Sequence, residues 1–222
     1  MSTPHLSFIG AGNMARSLIG GLIADGWPAD RLRATDPDPE QRSDIANRFG
    51  IAVGDDNAAA VAGAEVVVLA VKPQVMHAVA AEIGAAAQAH RPLIISIAAG
   101  IRSADLDRWL GGDAAIVRCM PNTPALVQSG ATALFANPRV GAEQRDRAET
   151  ILRAVGLTLW LEREEQMDAV TALSGSGPAY FFLIMEALQA AGERLGLPAD
   201  TARLLTLQTA FGAAKMALES PE

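Results

Sequence analysis

The sequence predicts an α/β protein, with a Rossmann-type, mostly parallel sheet followed by an all-α domain. Three observations predict it. A glycine-bearing turn, Gly10-Ala11-Gly12-Asn13-Met14-Ala15, joins a short apolar strand to an amphipathic helix. The run Glu65 to Val71 is almost entirely β-branched, the composition of a parallel strand buried on both faces. After Glu162 no strand pattern recurs, and long apolar helical stretches take over. The expected division is an α/β domain over 1–162 and a helical domain over 163–222.

The elements follow in order. Leu6, Phe8 and Ile9 form the first strand. In the helix behind it, Met14, Leu18 and Leu22 recur every four residues beside Ala15, Ile19 and Ile23, a stripe wide enough to lie on a sheet. The turn between them has the pattern Gly-x-Gly-x-x-Ala. Gly10 makes the tight turn, Gly12 lets backbone touch a pyrophosphate, and Ala15 keeps helix and strand close. The helix N-terminus offers its free N–H groups to phosphate, with a purely structural βα turn as the plainer alternative. Arg31 to Thr35 reads as the second strand, broken by Asp36-Pro37-Asp38-Pro39, and Glu40 to Phe49 as a polar helix stopped by Gly50. At the end of the second strand, a carboxylate accepts hydrogen bonds from adenine-ribose hydroxyls and repels a 2′-phosphate. Asp36 is the candidate, although capping the next helix would explain it too, and Arg42 could instead neutralise a 2′-phosphate.

Val53 to Ala62 supplies an edge strand and a short helix, with Asn57 as its N-cap. The strand from Glu65 ends at Lys72-Pro73, and ligands of open α/β sheets sit at the carboxyl ends of strands. Pro73 opens a helix to about Ala89. Pro92 to Ile97 is the next strand, followed by Ala98-Ala99-Gly100, small residues suited to a flat ring resting on backbone. Ala114 to Arg118 leads into the stiff loop Cys119-Met120-Pro121-Asn122-Thr123-Pro124, where Asn122 presents donors and acceptors, although a plain turn explains that loop as well. Ala131 to Ala136, a helix from Ala142 to Val155, and Leu157 to Leu161 complete the sheet. Glu162-Arg163-Glu164-Glu165 reads as a solvated charge run and a boundary. Beyond it come a short helix, Met167 to Leu173, the turn Ser174 to Pro178, and helices over Pro178–Leu195 and Asp200–Leu218. Both long helices are apolar around most of their circumference, so the two cannot cover each other; an oligomer interface is expected, with packing on the chain's own sheet as the plainer alternative.

Composition narrows the function. With 222 residues, 50% of them hydrophobic, the chain can bury one large core or a medium and a small one. A formal net charge of −7 argues against nucleic acid, which demands a basic footprint. The longest apolar run, Leu93 to Ile101, is about half a bilayer span, and no stretch suits a membrane surface. Met1 to His5 lacks the start of a signal peptide. Cys119 is the single cysteine, which fits a reducing, cytoplasmic setting. His5, His77 and His90 have no metal-ligand spacing, so no metal is expected. The sequence lacks a P-loop and a nucleophile elbow. Hydride transfer by a bound nicotinamide, NADP or NAD, remains. A protonated imine is already electrophilic, so loops poor in titrating residues suit it better than a ketone.

Four segments taken together resemble the pyrroline-5-carboxylate reductase family in order and spacing. They are Phe8 to Ala15, Ala70 to Pro73, Met120 to Pro124 and Leu173 to Tyr180, and the likeness runs on to Gly212-Ala213-Ala214-Lys215-Met216. The resemblance implies NAD(P)H-dependent reduction of 1-pyrroline-5-carboxylate to L-proline, the last step of proline synthesis. It also implies helical domains that interlock two subunits, with dimers assembled into a decamer. Carried over by position, Ile9, Gly10, Ala11, Gly12, Asn13, Met14, Asn57, Ala70, Val71, Lys72, Pro73, Ser96, Ile97 and Ala98 are cofactor contacts, and Asn122 lies near the nicotinamide. Asp36 joins them as the ribose residue. The turn from Ser174 is expected at the active site, with Ser174 and Ser176 binding substrate. The family continues into a Ser-Pro-Gly-Gly-Thr-Thr-like loop that holds the substrate carboxylate. This sequence ends at Ser220-Pro221-Glu222, so its helical domain is expected to be incomplete and no catalytic residue is named. Two other readings stand beside this one. A β-hydroxyacid-type dehydrogenase needs a lysine that Met167 to Leu173 lacks, and a dinucleotide-binding protein without turnover would follow from absence of the C-terminal loop.

Overall fold

The computed structural model describes residues 3–220. Met1 and Ser2, where the leader reading begins, and Pro221 and Glu222, at the expected break before the carboxylate loop, lie outside the described residues. The chain divides into two compact units, one up to Gly175 and one from Ser176.

The first unit is built on an eight-stranded sheet. Its strands are β1 Leu6–Ile9, β2 Leu32–Thr35, β3 Ala52–Gly54, β4 Val66–Leu69, β5 Leu93–Ser96, β6 Ile116–Met120, β7 Gly130–Ala136 and β8 Gly156–Trp160. They lie in the order β3-β2-β1-β4-β5-β6-β7-β8, and only the β6–β7 pairing is antiparallel. Successive residues of a strand point to opposite faces, and here both faces are buried. Leu6 and Phe8 of β1, Val66 and Val68 of β4, and Leu93 and Ile95 of β5 enter one core cluster. Ile9, Val67, Leu69 and Ile94 enter the other. Each fully buried large side chain contributes about 1.5–3 kcal/mol, which explains the near absence of polar residues in these runs. Ser7 is the exception in β1, and its hydroxyl donates to the Ala60 carbonyl at 2.7 Å.

Helices cover the two faces. α1 (Asn13–Ala24) buries Ala15, Leu18, Ile19 and Leu22. α2 (Pro39–Phe49) is capped by Asp38, whose carboxylate accepts from the Glu40 N–H at 2.8 Å, and stops at left-handed Gly50. α3 (Asn57–Val61) is capped by Asp56 rather than Asn57: Asp56 accepts from the Ala59 N–H at 2.8 Å. α4 (Pro73–His90) has proline in its first turn, where a missing N–H costs nothing. α5 (Ser103–Trp109), which the sequence pattern did not suggest, joins β5 to β6. The sixth strand begins at Ile116, two residues later than expected, and continues to Met120. α6 (Ala142–Arg153) leads into β8. α7 (Gln166–Val170) runs straight on as a π-helical turn, Thr171–Gly175.

The second unit is a helix pair, α8 (Gly177–Arg194) and α9 (Ala199–Glu219). They approach closely where Gly192 faces Ala202, a Cβ on Gly192 standing 3.2 Å from that of Ala202. Elsewhere Phe181, Phe182, Leu183, Leu204 and Phe211 stay exposed, each by more than half. No helix among the described residues is long and apolar enough to cross a membrane.

Candidate functional site

The strand order reverses between β1 and β4: the chain leaves β1 towards β2, then returns to place β4 on the other side. In open parallel sheets the crevice at that switch point receives the ligand. Gly10 lies at its lip with φ +101°, and a Cβ there would stand 2.7 Å from the Ala70 carbonyl oxygen. Only glycine fits, because the two strand ends touch. Gly12 differs. Its φ of −72° suits any residue, and a Cβ would meet no protein atom within 4 Å. Nothing in the chain needs a glycine there, so the open space fits a phosphate pressed against the backbone. The N-terminus of α1 supports this fit, having no side-chain cap and no acidic residue in its first turn.

The sequence-derived residues fall along this edge in three groups. Ile9, Ala11, Ser96 and Ala98 are buried, so any contact they make runs through backbone. Ser96 turns its hydroxyl to the Ala98 N–H at 3.5 Å and shapes the loop it begins. Gly12, Asn13 and Lys72 are exposed, with Gly10 at the lip and Met14, Ala70, Val71, Pro73 and Ile97 partly covered. Asp36 stands at the end of β2 and accepts from the Ala11 N–H at 2.8 Å and the Asp38 N–H at 3.0 Å, one to each carboxylate oxygen. Each oxygen keeps a second lone pair for a hydroxyl. Arg42 is committed elsewhere, donating to the carbonyls of Asp36 and Pro37 at 2.7 and 3.0 Å. Asn57 serves as a link, its Oδ1 accepting from the Thr35 hydroxyl at 2.6 Å and its Nδ2 donating to Glu82 at 3.1 Å.

Asn122 sits past the end of β6, and its amide is used at both ends. Nδ2 donates to the Ser174 carbonyl at 3.0 Å, while Oδ1 accepts from the Ala131 N–H at 2.8 Å. A carbonyl on one side and an N–H on the other leave one orientation for the amide. It therefore braces the π-helical turn against the ligand edge of the sheet. Gly175 completes that contact, since a Cβ there would lie 2.6 Å from the Met120 methyl carbon. The Ser174 hydroxyl turns back to the Val170 carbonyl at 3.2 Å. Ser176 belongs to the second unit, at the N-cap position of α8. Cys119 is buried in the first core cluster, and that burial pushes its thiol well above the usual range, leaving it protonated and unfit as a nucleophile.

One group escaped the sequence reading. Glu164, expected to be solvated, is only 17% exposed at its side chain and pairs at 3.1 Å with Arg118, 6% exposed. It also accepts from the backbone N–H and hydroxyl of Ser103, at 2.6 and 2.7 Å. Nothing in the run 162–165 distinguishes Glu164 from its exposed neighbours. The signal lay in Arg118, an arginine inside a buried strand, which demands a buried anion.

Comparison with known proteins decides the family. Residues 5–100 match the family model described as NADP oxidoreductase, coenzyme F420-dependent, and residues 164–222 match that of pyrroline-5-carboxylate reductase dimerisation. The chain is 60% identical over 220 residues to the pyrroline-5-carboxylate reductase of Pseudomonas aeruginosa, covering 99% of this chain and 80% of that protein. The chain belongs to the pyrroline-5-carboxylate reductase family. Among solved structures, the pyrroline-5-carboxylate reductase of Coxiella burnetii superposes with a TM-score of 0.95 at 47% identity, over 100% of this chain and 82% of the other. The Plasmodium falciparum pyrroline carboxylate reductase with NADP bound gives 0.89 at 29% identity, over 100% and 81%. The helix pair lies within the residues matched by the dimerisation model, which makes the protein a homo-oligomer.

Proposed function

We propose that the chain reduces the C=N bond of 1-pyrroline-5-carboxylate to L-proline, the last step of proline synthesis, at the crevice between β1 and β4. Identity of 60% along nearly the whole chain to a pyrroline-5-carboxylate reductase carries this reading. When bound, the reduced nicotinamide supplies the hydride. The chain's own residues bind and orient. The uncapped start of α1, with Gly12, holds the pyrophosphate, and Asp36 accepts the adenine-ribose hydroxyls. Ile9 to Met14, Asn57, Ala70 to Pro73, Ser96 to Ala98 and Asn122 line the cofactor's path, and Ser174 and Ser176 face the substrate. A protonated imine carries its own proton into the amine, so no side-chain acid at the C=N is required.

The functional division we adopt is 1–162 for the cofactor and 163–222 for dimerisation and substrate. The exposed apolar faces of α8 and α9 support interlocked dimers; their further assembly into a decamer and a cytoplasmic location belong to the same proposal. Incubating the full gene product with NADH or NADPH and pyrroline-5-carboxylate tests the activity. The expected result is oxidation of the cofactor matched by an equal amount of proline. Cofactor binding without turnover would instead favour a dinucleotide-binding protein.

A further inference from the structure

The loop after β5 has little to hold it in place by itself. Ile97 to Gly100 is made of small or apolar residues, and Gly100 has φ +76°. At its near end the Ile97 N–H donates to the Leu69 carbonyl at 3.2 Å, which fastens it to β4. At its far end it enters α5, whose N-cap position, Arg102, gives no side-chain cap. Glu164, distant in sequence, takes that role: one oxygen receives the Ser103 N–H and the other the Ser103 hydroxyl. The carboxylate is in turn fixed by Arg118, which stands on β6 opposite Ser96, the last residue of β5. A cavity of about 400 Å³, bordered by Gly100, Arg102, Arg118 and Glu164, opens beside the loop. An untethered loop would have room to sag into it.

We propose that Glu164 is a positioning residue for the cofactor, holding the loop 97–102 as the platform for the nicotinamide half of the dinucleotide. The inference rests on the dinucleotide reading above. A Rossmann sheet binds the two mononucleotide halves on the two sides of its switch point. The adenine half lies towards β2 and Asp36, so the other half falls over the ends of β4, β5 and β6. Glu164 acts on that second half alone.

Titration of the full-length protein with NADH and with ADP-ribose, which lacks the nicotinamide, separates the halves. Wild type is expected to bind NADH more tightly than ADP-ribose. Glu164→Ala should narrow that gap about tenfold while ADP-ribose affinity stays within about twofold. Hydrogen exchange of the amides from Ile97 to Ser103 should quicken in parallel. Glu164→Gln, which keeps one acceptor for Ser103, should retain part of the gap, and it serves as the test if the alanine variant does not fold. Equal weakening of both ligands, or no change in either, would overturn the clamp while leaving the dinucleotide site standing. A wild-type protein that binds neither ligand would overturn the dinucleotide reading itself.

Discussion

The two units of this chain stabilise themselves in opposite ways. In the first, strands β1, β4 and β5 bury every residue, and α1, α4 and α6 close over both faces. In the second, two helices of 18 and 21 residues bury only Gly177 and Ala202, while their aromatic and leucine side chains face outward. Helices this apolar are not stable facing water. A core can thus be built within a chain or between copies of it, and the same hydrophobic residues serve either way. The first unit should tolerate loss of the partner, and the second should not.

The strongest way to break this contrast is to place a charge on the helix pair. Phe181→Asp or Leu205→Glu should leave an unpaired ion in the interface at a cost of about 3 kcal/mol or more, roughly a hundredfold in association. Light scattering should show monomers, turnover should collapse, and the first unit should still bind cofactor. A wild-type protein that is monomeric and fully active would end the argument.

Within the first unit, the two glycines of the turn sharpen it. Gly10→Ala forces a side chain into a left-handed backbone and against the Ala70 carbonyl, and should lower stability by about 1–3 kcal/mol. Gly12→Val should leave the denaturant midpoint nearly unchanged and abolish nicotinamide binding. Unaltered affinity in a folded Gly12→Val protein would remove the phosphate from that site.

A smaller effect is expected at Asp36. Replacing it with serine keeps an acceptor for the Ala11 N–H but removes the charge that opposes a 2′-phosphate. The ratio of kcat/KM for NADPH to that for NADH should rise about tenfold. If the wild type already prefers NADPH strongly and the ratio does not move, Asp36 serves only the turn.

The smallest concerns the exposed pair of Asp113 and Arg139, which meet at 2.6 Å. The hydrogen bond from Arg139 and its charge hold the Asp113 carboxyl below its ordinary value. Its contribution is therefore present above the unfolded-state pKa and lost as pH falls through the lower folded value. Asp113→Asn should lower stability slightly at neutral pH, leave it unchanged once the wild-type carboxyl is protonated, and so flatten the acid limb, as measured by urea midpoints across that range.

What the sequence revealed, and what it hid, divides by distance along the chain. β4 was legible because Val66 to Leu69 are buried by their own composition. The switch-point turn was legible because Gly10, Gly12 and the α1 stripe lie within a few residues of each other. Asp56 and Asn57 are adjacent and equally able to cap, so only geometry could show that Asp56 caps while Asn57 reaches Thr35. α5 escaped because its cap, Glu164, lies 61 residues beyond Ser103. The same holds for Asn122, which reads as a loop residue until its bond to Ser174, 52 residues on, turns it into a brace.

The strand order also has a kinetic consequence. β1 lies in the middle of the sheet, yet it precedes the other seven strands in the chain. It can pair with β2 early, but its other edge stays open until β4 has been made. Such long-range parallel pairing forms slowly. The helices α8 and α9 emerge later still, with apolar faces that need a second chain. Recovery of native protein from the unfolded state should thus contain a slow, first-order sheet-forming phase and a later, second-order one. Dilution would stall the chains between the two, with an assembled sheet and greasy helices open to aggregation.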